Sequence, residues 1–165
     1  MATTIDLIRL SQDVGHLMDR MAISDLLIAF ARAIDTKDWA GYAALFTEDG
    51  VVEIPVKLPD GTFARHIGRA GMAAWIAGDA NRPGLGRFVQ THHLSANHQI
   101  TIDHDTATTT SYAQCIHRLD DDPANVWELG GWYSCEVRRT PDAGWRFTRV
   151  HLDMVWEHGK PVGHG

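Results

Sequence analysis

Residues 88–119 read FVQTHHLSANHQITIDHDTATTTSYAQCIHRL, two long runs of alternating character joined at His104-Asp105. Period-two alternation of this length predicts strands, Phe88 to Ile102 and Thr106 to Leu119, the first one bulged. The pattern continues beyond them. Asp120 to Asn125 reads as a turn, Val126 to Arg139 as a third long strand, Pro141 to Gly144 as a hairpin turn and Trp145 to Trp156 as a fourth strand. Long neighbouring strands joined by short turns predict an antiparallel meander. Gly130-Gly131, in the middle of the third strand, is a candidate for a sharp bend.

Upstream, the period is that of a helix. Leu7, Leu10, Val14, Leu17 and Met21 recur at steps of three and four, and so do Ile23, Leu26, Leu27, Phe30 and Ile34. Asp35 to Asp38 interrupts the stripe with capping side chains. A shorter helix with Trp39, Ala43 and Phe46 inward is expected to stop at Thr47 to Gly50. Val51 to Val56 and Thr62 to Ile67 read as a hairpin around Pro59-Asp60-Gly61, and Gly68 to Ala77 as a short helix carrying Met72 and Trp75. Asn81 to Gly86 is loop, and Gly159 to Gly165 a frayed tail. Helices, a hairpin, a helix and then long strands predict an α+β domain, residues 1–165, whose bent antiparallel sheet wraps its helices.

The composition narrows the partners. The net charge of −6 over 165 residues lacks the basic patch that a phosphate backbone requires, so no nucleic acid is expected. No apolar run approaches membrane-spanning length. Cys115 and Cys135 stand outside any CxxC motif, and the first ten residues lack an export h-region. Two free thiols in a cytoplasmic protein are the expectation.

Three stretches resemble the SnoaL-like branch of the NTF2-like superfamily. They are Ala22 to Asp35 with Trp39 to Phe46 and Asp49-Gly50; Thr91-His92-His93-Leu94-Ser95-Ala96-Asn97-His98; and Gly144-Trp145-Arg146-Phe147-Thr148-Arg149. The resemblance implies a cone-shaped barrel with an enclosed, largely apolar pocket. Within the superfamily, the scytalone dehydratase, bile-acid dehydratase and dehydrochlorinase group pairs an Asp after the long helix with a His early on a long strand. Asp35 and His93 match those positions, and Asn97 matches a residue four places later. A register slip by one would substitute His92. The bile-acid dehydratase pattern has a tyrosine where this chain has Phe30, and the base that ketosteroid isomerases carry after a Val-Glu pair is Ile54 here.

The resemblance implies a cofactor-independent lyase that dehydrates a hydrophobic cyclic or polyketide-like molecule, with isomerisation and cyclisation as neighbouring chemistries. A carboxylate on one imidazole nitrogen fixes the tautomer and leaves the other nitrogen to move protons. Asp35 also reads as a helix-end residue, and His93 as a bonded strand histidine. The candidate substrate-binding residues are Asn97, His151, Phe30, Trp39, Phe88, Ser111 and Cys115, with Trp75, Trp127, Trp132 and Phe147 as further walls. His151 is placed equally in the pocket or on the surface. His92, His93, His98 and His104 follow no common zinc spacing, and alternation sends His92 and His93 to opposite faces, so no metal or cofactor is expected. A non-catalytic binding or assembly module of the same fold is the alternative. The resemblance also implies a homo-oligomer, a trimer in preference to a dimer.

Overall fold

The computed structural model describes residues 4–57 and 60–159, with the backbone alone for 55–57. Helix α1 runs unbroken over Thr4–Asp35, so the two apolar stripes lie on one helix. It stops where Lys37 turns left-handed at φ 57°. Asp38 then caps α2 (Trp39–Ala44) by accepting the Gly41 N–H at 2.8 Å. The chain continues through β1 (Phe46–Lys57), β2 (Phe63–Ile67), a 3-10 turn, α3 (Met72–Ala77) and a second 3-10 turn. Four long strands follow: β3 (Gln90–Asp103), β4 (Thr106–Arg118), β5 (Val126–Thr140) and β6 (Gly144–Gly159). Most of the expected tail lies outside the described residues.

The six strands form one curved sheet in the order β2-β1-β6-β5-β4-β3. Two expectations need correction here. Among the described residues the sheet does not close into a barrel, because β2 and β3 are both edges, and β1 pairs with β6 in parallel rather than antiparallel. A third concerns α2, which ends before Phe46. Phe46 opens β1, fully buried, and Tyr42 is the fully buried side chain of α2.

The bend falls where the glycines predict it. The β5–β6 register shifts between Gly130 and Gly131. A Cβ on Gly131 would collide with the Asp153 carbonyl oxygen, and one on Gly130 with the Trp156 ring. Close approach of the two backbones therefore requires Gly131, while Gly130 makes room for the Trp156 ring. In β3 the register shifts between Ala96 and Gln99, with Asn97 at φ 57°. The core lies between the concave sheet face and the C-terminal half of α1. Its centre is an aromatic cluster in which Phe30 meets Tyr42, Phe46, Tyr133 and Phe147 at centroid distances of 5.3 to 6.4 Å.

Candidate active site

Asp35 ends α1, where its charge faces the negative end of the helix and needs donors. Three meet it. Oδ1 accepts from His93 Nδ1 at 2.7 Å and from the Thr91 hydroxyl at 2.9 Å; Oδ2 accepts the His93 backbone N–H at 2.9 Å. Strand alternation buries Thr91 and His93 and leaves His92 exposed, which resolves the register in favour of His93.

The electrostatics follow from burial and contact. Burial raises the Asp35 carboxyl, but the His93 side chain, the His93 N–H and Thr91 outweigh it and hold the pKa below the usual carboxylate value. Burial alone would lower His93. Asp35 and the neighbouring Cys115 sulfur overcome it and raise the imidazole to about 9. Both shifts favour the imidazolium–carboxylate form of the pair.

Beside it stands His117, 2% exposed, its ring centroid 5.1 Å from that of His93. Burial and then the His93 charge push His117 down to about 4, so it is neutral. Its Nδ1 lies 3.2 Å from the Trp127 carbonyl oxygen and must donate to it, which leaves Nε2 as a lone pair. Trp127 stacks on the ring at 4.6 Å, and Phe88 packs on it at 4.9 Å.

Both histidines line a cavity of about 550 Å³. Phe30, Tyr42, Cys115, Leu129 and Tyr133 form its deep wall; Trp75, Arg82 and Leu85 lie on the side of α3 and the loop that follows it. The Tyr133 hydroxyl is 3.3 Å from Cys115 Sγ. The Tyr42 hydroxyl is buried and has no hydrogen-bond partner among the described residues. Burial raises the pKa of both phenols.

The expected substrate-binding residues divide. Phe30 and Cys115 line the cavity. Phe88 stands behind His117, and Phe147 lies in the core. Trp39 packs against the core without reaching the cavity. Ser111 is buried and bonded to Ser95 at 2.9 Å, outside the lining. Asn97 is exposed at the β3 bulge and, with Trp132, borders a shallow groove on the convex face. The bulge carries Asn97 away from the cavity. His151 faces away as well. Val150, Leu152 and Met154 take the inward positions of β6, and His151 lies between Glu53 and Asp153, at 3.0 and 2.9 Å.

Tyr42 and Tyr133 received no role from the sequence, and His117 only a place on a strand face suited to a cavity wall. Ser111, Ala113, Cys115 and His117 share a strand face by alternation, so His117 was within reach once Cys115 was known to sit opposite His93.

A profile of the SnoaL-like domain matches residues 15–151. An uncharacterized protein of Mycobacterium tuberculosis is 28% identical over 139 residues, covering 82% of this chain and 85% of that protein. An NTF2-like protein with a cystatin-like fold from Novosphingobium aromaticivorans superposes with a TM-score of 0.74 at 24% identity, over 94% of this chain and 92% of the other. A candidate scytalone dehydratase from the same organism gives 0.69 at 24% identity, over 91% and 97%. A hexachlorocyclohexane dehydrochlorinase from Novosphingobium barchaimii gives 0.71 at 19% identity, over 93% and 97%. These three likenesses establish an NTF2-like fold. Because the domain profile spans most of its length, the chain belongs to the SnoaL-like domain family.

Proposed function

We propose that the protein is a cofactor-independent lyase that removes water from a hydroxylated, largely apolar cyclic molecule. One observation carries the reading: His93, held by Asp35 at 2.7 Å, stands beside His117 at a ring-centroid distance of 5.1 Å on the wall of an apolar cavity. Elimination needs a proton donor for the leaving hydroxyl and an acceptor for the proton on the adjacent carbon. His93 Nε2–H supplies the first and His117 Nε2 the second. The C–H electron pair becomes the new double bond, the C–O bond breaks, and water leaves with the His93 proton. As His93 gives up its charge, the repulsion that depresses His117 disappears and its basicity rises. Proton return from His117 to His93 restores the ground state.

The names of two structural neighbours, a candidate dehydratase and a dehydrochlorinase, support β-elimination as the reaction class. The cavity's apolar wall suits a hydrophobic skeleton.

The test is a panel of β-hydroxy tetralones, with enone absorbance as the readout. Wild-type turnover that drops about a hundredfold or more in both Asp35→Asn and His93→Gln supports the proposal. Turnover that survives both substitutions removes it. Saturable binding by the wild type with no turnover of any eliminable compound favours a binding module instead.

A further inference from the structure

Helix α1 carries a second apolar face that is exposed among the described residues. Leu7, Leu10, Val14, Leu17 and Met21 are 46 to 66% exposed, and Ile28 continues the line at 51%. The core is served by a different face, Ile23, Leu26, Leu27, Phe30 and Ile34. Thr4 to Met21 therefore form an arm of about 27 Å at 1.5 Å per residue, with almost every side chain exposed. An isolated helix of this length is marginal in water, and Gly15 in its middle weakens it further. The seam is therefore open to a partner.

The spacing says which. Leu7, Val14, Met21 and Ile28 recur every seven residues, and Leu10 and Leu17 follow the first two by three. This is the heptad seam by which one helix packs knobs-into-holes on another. We propose that the arm pairs antiparallel with the arm of a second copy of this chain. In the favoured register Val14 meets Leu17 of the other copy, and Leu10 meets Met21. Charge selects this register. It brings Asp13, beside the seam, opposite Arg20 of the second copy, twice by symmetry. Sliding the arms by one heptad would oppose the two Asp13 side chains. Arg20 gives one N–H to the Ile100 carbonyl oxygen at 2.8 Å, and its guanidinium retains other donors for the carboxylate.

The pairing is isologous, so the assembly contains an even number of chains. Light scattering of the full chain should give an even multiple of 18.3 kDa, and Leu10→Glu/Leu17→Glu should halve it with the circular dichroism of the sheet retained. Leu10→Cys/Met21→Cys should form a covalent dimer on oxidation, whereas Leu10→Cys alone should not, because its two copies lie about 16 Å apart along the axis. A monomeric or trimeric wild type overturns the proposal. So does a mass unchanged by the double glutamate substitution, or efficient self-crosslinking of Leu10→Cys, which marks parallel arms. A monomer whose arm binds phosphatidylglycerol vesicles would assign the seam to a lipid surface and also overturn it.

Discussion

Asp35 grips His93 twice, its Oδ1 on the imidazole Nδ1 at 2.7 Å and its Oδ2 on the backbone N–H at 2.9 Å. The ring's tautomer and the strand position that carries it are thus fixed by one carboxylate. Removing both oxygens, as in Asp35→Ala, acts on both.

Asp35→Asn keeps an acceptor but removes the charge. Burial and the Cys115 sulfur then act on His93 without the opposing charge, and its pKa should fall below about 9. Imidazole NMR titration measures this directly.

A pH profile tests the division of labour. His93 must be charged to donate, and His117 must be neutral to accept. The kcat/KM for an eliminable substrate should be flat between two limbs, falling as pH rises through about 9 and as it drops through about 4. Folding stability shares the upper limb. Because the folded pKa of His93 lies above its unfolded value, its contribution is complete below about 6.5 and lost as pH rises through about 9. Urea denaturation at pH 6, 8 and 10 reads that loss.

Tyr42→Phe removes a buried hydroxyl that has no partner among the described residues, so no hydrogen bond is broken. Stability should be unchanged or rise by up to about 1 kcal/mol in urea denaturation. Tyr133→Phe, which breaks the contact with Cys115, should not share the gain.

Gly131→Ala forces a Cβ against the Asp153 carbonyl at the bend. A loss of at least about 2 kcal/mol is expected in the same assay, with β5 and β6 separating first in hydrogen exchange.

Much of the fold was legible because its signals are local. Alternation marked β3 to β6, and the glycine pair marked the bend. The parallel contact of β1 with β6 and the open edges were not legible, since sequential alternation carries no information about which distant strands meet. The candidate site divides along the same line. Asp35 and His93 came from a resemblance that spans most of the chain. His117 depends on register. Counting back from the His104-Asp105 turn places Ile116 opposite His93, and only the bulge at Ala96 to Gln99 shifts the partner to Cys115 and sets His117 beside it. Asn97 lies away from the cavity for the same reason, because it sits in the bulge itself. Tyr42 was hidden by an overlong helix that gave its inward place to Phe46.

The open sheet gives α1 a further duty. β3 is an edge, and an uncovered edge invites strands from other molecules to add to it. Two side chains of α1 occupy backbone groups of that edge, Arg20 on the Ile100 carbonyl and Asp35 on the His93 N–H, and Ser24 bonds the His98 ring beside them. The carboxylate that orients the imidazole is therefore also a stopper against strand addition. Replacement by alanine would leave a bare donor at the rim and promote aggregation, whereas asparagine keeps the rim capped, so only the second separates lost chemistry from lost solubility.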